Sequence, residues 1–231
     1  YSVAIMNTLA RNSIDNPTFP RRGSSLSLSV NLTPPYSLFN LQPTNVRRIE
    51  FNKWMFDASW FTKLVGNLVI NARAHFGFVS TYRRAQEIGP FERFKLGGAG
   101  LGGFNLLVGT DFVGLRGYED PNNAAAIPGS QSGQSGGVAY NKYVLEMRYP
   151  ISLNPSATIY ALAFTEAGNQ YGDYATYNPY QLYRSAGAGV RVFMAAFGLL
   201  GFDYGYGFDQ VPGALAQKRG QFHFTIGQQI R

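Results

Sequence analysis

The sequence predicts an all-β fold, an antiparallel transmembrane β-barrel, and three observations support this. Apolar and polar residues alternate with a period of two along most of the chain, as in strands that have two different environments. The polar alternates are mostly Gly, Ser, Asn, Asp and Thr, whereas the apolar face is rich in aromatic residues. Only 14% of residues are charged, against about 25% in a soluble domain. A soluble β-sandwich or lipocalin-like barrel, the alternative, would carry many Lys and Glu on its outer face.

The composition of the 231 residues also excludes several kinds of functional site. Without cysteine there is no disulfide framework, thiolate zinc site or cysteine nucleophile. The only histidines are His75 and His223, which are too few for a histidine-rich metal centre. The net charge of +7 is scattered along the chain, so we expect no nucleic acid partner. We expect neither a cofactor nor a bound metal.

Four strands are predicted in the first third of the chain, at 1–12, 25–33, 48–61 and 67–79. Residues 25–33 alternate Leu and Val with Ser, Asn and Thr. In the fourth strand, Asn71, Arg73 and His75 oppose an apolar face that includes Ile70 and Phe76. These polar residues are therefore predicted to face the interior of the barrel.

Five further strands are predicted at 140–149, 157–166, 185–194, 200–209 and 222–230. The alternation is clearest in 200–209, where aromatic residues alternate with Gly and Asp. We therefore expect Phe202, Tyr204 and Phe224 to face lipid, and Asp203 and His223 to face the interior. Several of the nine strands approach the roughly 10 residues that a tilted membrane-spanning strand needs.

The predicted connections alternate in length. Those at 16–23, 63–66, 151–156 and 195–198 are short, and those at 34–45, 81–138, 167–183 and 210–219 are longer. Short turns at one end and long loops at the other are typical of outer-membrane barrels. Bacterial single-chain barrels usually have an even number of strands, so either the count is wrong or the chain is part of a larger barrel.

The long connection contains a recognisable motif. Residues 113–120 read Val-Gly-Leu-Arg-Gly-Tyr-Glu-Asp. This resembles the Val/Leu-Arg-Gly-Phe/Tyr motif in the sixth extracellular loop of the outer-membrane barrel-assembly family, the BamA type. Four further segments resemble that family in its own order, namely 11–24, 145–150, 201–205 and 222–227. The resemblance covers essentially the whole chain.

The resemblance implies that residues 1–231 are the C-terminal portion of one 16-stranded barrel domain, roughly its eighth to sixteenth strands. A long extracellular loop would lie at about 82–137. The first seven strands and the periplasmic POTRA domains would lie outside this sequence. The expected location is the bacterial outer membrane.

The resemblance also implies a function without covalent chemistry, so we do not expect an enzyme. BamA-type proteins insert client β-barrels into the outer membrane by templating strands at a lateral seam. The seam strand here would include Phe222, Phe224, Ile226 and Gly227. The implied partners are client outer-membrane proteins, accessory lipoproteins of a BAM-like complex, outer-membrane lipid and lipopolysaccharide.

Arg116 is the principal candidate residue, within the motif Leu115-Arg116-Gly117-Tyr118. In the family, the corresponding arginine folds into the lumen and pairs with acidic residues on the wall. By position, Glu146 and Glu166 are the expected partners. Glu146 alternates with apolar Leu145 and Met147, so it should face inward.

Three alternative functions remain. A two-partner-secretion transporter would share the barrel and the loop motif but pass an extended polypeptide through the lumen. A passive porin would not need the Arg-Gly-Tyr motif, and a barrel enzyme should show a Ser/His/Asp set near one rim, which the sequence does not indicate. Residues 98–103 satisfy G-x-G-x-x-G but lack the strand–turn–helix context of a nucleotide site.

Overall fold

The computed structural model describes residues 3–36, 49–83, 88–99, 110–154, 157–194, 198–214 and 217–226. These contain eleven strands: β1 (Ile5–Asn12), β2 (Gly23–Leu32), β3 (Asn52–Lys63), β4 (Val69–Ser80), β5 (Phe94–Leu96), β6 (Asp111–Val113), β7 (Ala139–Asn154), β8 (Ala157–Tyr171), β9 (Tyr183–Met194), β10 (Gly198–Gly207) and β11 (Gly220–Ile226). Nine of them form one antiparallel sheet in the order β1-β2-β3-β4-β7-β8-β9-β10-β11. The prediction of nine antiparallel strands is confirmed.

The two faces of the sheet differ in chemistry as the sequence predicts. In β10, Phe202 and Tyr204 are 40% and 55% exposed, whereas Asp203 between them is 1% exposed. The neighbouring strand continues this pattern, with Phe224 exposed and His223 buried. The outer face is therefore apolar and open, and the inner face carries the buried polar side chains.

The connections between strands also follow the predicted alternation. At one end of the sheet, the turn end, short connections join β1 to β2, β3 to β4, β7 to β8 and β9 to β10. At the other, the loop end, the longest connection runs from β4 to β7. No helix in the described ranges is long and apolar enough to cross a membrane.

Some predicted boundaries were wrong. Strands β7 and β8 extend well beyond 140–149 and 157–166, with pairs running from Ala139–Tyr171 to Asn154–Ala157. The extension at the loop end is buried under the long connection: the backbone N–H of Leu96 donates to Gln170 Oε1 at 3.0 Å. Because successive residues at this end of β8 are all buried, the sequence there does not alternate between apolar and polar residues. The predicted strand therefore ended too early.

The long connection contains β5 and β6, which pair in parallel and were not predicted. Each has three residues, too short for a period of two to be visible. Their side chains belong to a buried cluster at the loop end, made of Phe51, Val79, Phe94, Leu96, Val113, Leu115, Tyr118, Ile127, Val138, Tyr140 and Val211. This packing fixes the connection against the inner face of the sheet.

Candidate functional site

The Leu115-Arg116-Gly117-Tyr118 motif follows β6 and lies against the inner face. Leu115 is fully buried in the loop-end cluster, and its backbone N–H donates to the carbonyl of Gly98 at 3.0 Å. Burial of Leu115 anchors the start of the motif, so that the next residue, Arg116, is directed into the interior.

Glycines make room for the motif against β10. A Cβ atom at Gly205 would lie 2.6 Å from the backbone nitrogen of Gly117, and one at Gly207 would lie 2.7 Å from the carbonyl oxygen of Gly117. Gly117 itself has a φ of 91°, which favours glycine. The motif therefore contacts the strand backbone directly at a distance that larger residues would prevent.

The side chain of Arg116 is completely buried among carboxylates from three strands. Its Nη2 atom lies 2.7 Å from both Glu146 Oε1 and Glu166 Oε1. Its Nη1 atom lies 3.5 Å from Asp203 Oδ1. The backbone N–H of Arg116 donates to Glu166 Oε2 at 2.8 Å, so the backbone and the side chain are both held.

The guanidinium also stacks on an aromatic ring, with Arg116 Cζ 3.5 Å from the ring centroid of Phe164. Burial by itself would lower the pKa of Arg116, but the surrounding Glu166, Glu146 and Asp203 raise it above its usual value. The arginine therefore stays charged, and its ion pairs persist at any pH at which the carboxylates are ionised.

A wider set of buried charges surrounds these contacts. Glu146 also accepts from Arg73 Nη2 at 2.6 Å and from Arg148 Nη2 at 2.6 Å. The Nζ atom of Lys142 lies 3.5 Å from Glu166. Asp203 is bound by both terminal nitrogens of Arg191, at 2.9 and 2.7 Å. Each carboxylate therefore has more than one cationic partner, as deep burial requires.

The structure thus brings together the three residues that the sequence singled out, Arg116, Glu146 and Glu166. Sequence reasoning did not identify Asp203 as a partner of Arg116, although it predicted that Asp203 faces the interior. Sequence reasoning also did not identify Arg73, Lys142, Arg148 and Arg191. The alternation placed Arg73 on the inner face, but the cross-strand register that makes these four residues neighbours was not readable from one sequence.

The rest of the motif contacts the last strands. The Tyr118 hydroxyl donates to the carbonyl of Arg184 at 2.7 Å, and burial raises its pKa. The backbone N–H of Gly117 donates to His223 Nε2 at 3.1 Å, which requires a neutral imidazole with its proton on Nδ1. Within the described ranges, no group of His, Asp and Glu is arranged as a metal site.

Of the predicted seam residues, Phe222, Phe224 and Ile226 lie on the outer face of β11, with exposed side chains. Gly227 lies outside the described residues. β11 pairs with β10, and no strand pairs with its other edge in the described part of the chain. β11 is therefore an end strand of the described sheet and also contacts the motif, through His223.

The turn between β1 and β2 covers the inner face at the turn end. Phe19 is 3% exposed and packs with Val69, Tyr160, Leu162 and Phe164. Its ring meets that of Tyr160 edge to face, with centroids 5.2 Å apart. Because Phe164 also stacks on Arg116, the turn and the motif meet through this aromatic cluster.

Comparison with known proteins gives a family and a structural neighbour. The chain matches the Omp85 superfamily domain over residues 2–230. Its structure is similar to the crystal structure of BamA from Haemophilus ducreyi lacking POTRA domains 1-3, with a TM-score of 0.67 and 17% sequence identity. The match covers 97% of this chain and 42% of that protein, so this chain spans less than half of its length. No curated protein matches the chain.

Proposed function

Because the chain belongs to the Omp85 superfamily, in which outer-membrane barrels insert or transport proteins, we propose that it is part of an assembly factor for the outer membrane. In this role it inserts client β-barrels into the bacterial outer membrane by templating their strands at a lateral seam. It acts by binding and does not catalyse a covalent reaction. Residues 1–231 are then part of one barrel domain with a long extracellular loop at about 82–137.

The observation that carries the proposal is the edge of β11. An incoming strand has unpaired backbone N–H and C=O groups, and each costs several kcal/mol in hydrocarbon. β11 and β1 are the two end strands of the described sheet. In the complete barrel that we propose, the edge of β11 away from β10 meets the first strand, and this pairing is the seam. An incoming strand would pair with the backbone of β11 when the seam opens, while Phe222, Phe224 and Ile226 face lipid on the same strand.

The turn between β1 and β2 supports insertion over transport through the lumen. The Arg116 motif occupies the inner face from the loop end, and Phe19 with its turn covers it at the turn end. A two-partner-secretion transporter would share the loop motif, but it would pass an extended chain along this face and would have to move the Phe19 turn aside. Insertion at the seam leaves both segments in place.

In the proposed function, Arg116 with Glu146 and Glu166 is a clamp that keeps the long loop docked. Two guanidinium nitrogens, Nε and Nη2, donate to Glu166 Oε1, and charged hydrogen bonds from two donors fix direction as well as distance. The proposed partners are client outer-membrane proteins, accessory lipoproteins of a BAM-like complex, outer-membrane lipid and lipopolysaccharide.

The test is depletion of the full-length protein in its own bacterium, with outer-membrane porin levels as the readout. We expect porins to fall and unfolded porins to accumulate in the periplasm. As a second arm, a disulfide is engineered between β11 at Phe224 and the first strand of the complete barrel. The chain has no cysteine of its own, and growth should stop when the bond is oxidised and resume on reduction. Normal porin levels together with loss of one secreted protein would support the transporter instead.

A further inference from the structure

Two side chains of β11 connect this strand to the docked loop. Gln221, His223 and Thr225 alternate on the inner side of β11. Gln221 Nε2 donates to Glu119 Oε1 at 2.8 Å, and His223 Nε2 accepts from the N–H of Gly117 at 3.1 Å. The loop is therefore bonded directly to the strand whose other edge has no strand partner among the described residues.

We propose that His223, supported by Gln221, is a latch: it fastens the seam strand β11 to the loop motif, so that β11 can leave β10 only when the loop contact is broken. This deepens the proposed seam function and rests on it. The latch would hold β11 against β10, with the loop docked, while the other edge of β11 pairs with a client strand. His223 is a positioning residue in this scheme, since it acts through the backbone of β11.

The geometry around Gly117 makes the His223 contact difficult to replace. The backbone of Gly117 is pressed against Gly205 and Gly207 of β10, so it cannot shift toward the wall. A buried N–H that loses its acceptor has no water to replace it and keeps the full cost of its desolvation. In the described part of the chain, His223 Nε2 is the acceptor found for this N–H.

The latch is also sensitive to the protonation of His223. A protonated imidazole has two donors and no acceptor, so the Gly117 contact would be lost. The charged groups that act on His223 are Arg116 and Asp120 of the loop, Glu166 of β8 and Asp203 of β10. The added charge would therefore fall beside the buried network that holds the motif.

Hydrogen exchange of β11 amides tests the latch in the full-length protein in lipid nanodiscs. The variants are His223→Leu, which removes the acceptor, and His223→Gln, whose amide oxygen can accept without titrating. Thr225→Val is the matched control, because the Thr225 hydroxyl is buried on the same side of β11 and makes no hydrogen bond in the structure. At about pH 8 we expect exchange in β11 about tenfold faster in His223→Leu, with β8 unchanged, and wild-type rates in the other two.

In a pH titration, the protection of β11 amides from exchange should fall in the wild type as His223 becomes protonated, whereas His223→Gln should keep it, after correction for intrinsic exchange. If His223→Leu does not fold, Gln221→Leu serves instead, with about threefold faster exchange in β11 expected. Equal exchange rates of β11 amides in His223→Leu and Thr225→Val, or equally faster exchange in β8, would overturn the latch.

Porin assembly is scored separately. Faster exchange in β11 with normal porin assembly supports the latch and counts against the proposed function.

Discussion

Glu166 holds Arg116 at two points. Its Oε2 atom accepts the backbone N–H of Arg116 at 2.8 Å, and its Oε1 atom accepts from Nε at 2.9 Å and from Nη2 at 2.7 Å. One carboxylate on β8 therefore fixes both the position of the loop backbone and the direction of the side chain. A point charge in place of the guanidinium could satisfy only part of this arrangement.

Arg116→Lys should therefore destabilise the protein although it keeps the positive charge. The lysine loses at least one charged hydrogen bond to Glu166, worth about 2 kcal/mol. The measurement is urea unfolding of the full-length protein in lipid vesicles. Arg184→Lys is the control, because Arg184 pairs with Asp209 but is largely exposed, and exposed pairs contribute little to stability. Equal losses of unfolding free energy in the two variants would show that the guanidinium geometry of Arg116 adds no stability.

Gly205→Ala should displace the motif from β10. The new Cβ would lie 2.6 Å from the Gly117 nitrogen, and overpacking of this kind costs about 1–3 kcal/mol. We expect a lower unfolding free energy and faster proteolysis of the long loop. Gly172→Ala is the control, since a Cβ there meets nothing within 4 Å and Gly172 lies outside the strands. Unchanged proteolysis in Gly205→Ala would contradict the close packing.

The outer face should contact acyl chains. A fluorophore attached to a cysteine at Phe202 should be quenched by brominated lipid, because the Phe202 side chain is exposed on the apolar face. A fluorophore at Thr225, which is 4% exposed on the inner side, is the control and should be quenched far less. Similar quenching at the two positions would contradict the assignment of the faces.

The contact between Asp209 and Arg184 should weaken in acid. Hydrogen bonds from the Arg184 side chain lower the pKa of Asp209 below its usual value, and the backbone N–H of Arg184 also donates to it at 2.6 Å. Because the folded pKa is depressed, the contribution to stability is present above the unfolded value of about 3.9 and is lost as pH falls through the folded pKa. NMR should show the Arg184 amide shifting below about pH 4 in the wild type. Asp209→Asn is the control and should remove this titration; a shift that persists in that variant would assign the titration to another group.

The division between the two faces was readable from local sequence. Phe202 and Asp203 are adjacent, and a strand necessarily sends them to opposite sides, so alternation alone placed one outward and the other inward. The Arg-Gly-Tyr motif likewise marked Arg116 by its family resemblance. The length of β8 was not readable, because the long loop covers residues near Gln170 on the inner side and the sequence does not alternate there.

The sequence by itself predicted antiparallel strands with an apolar outer face, and its family resemblance singled out Arg116, Glu146 and Glu166. Only the tertiary structure decided which charges meet. Arg116 and Asp203 are far apart in the chain, and their contact depends on the register of several strands and on where the loop enters. Register is fixed by the summed hydrogen bonds and packing of whole strands, which no short segment specifies. The link from Gly117 to His223 arises in the same way.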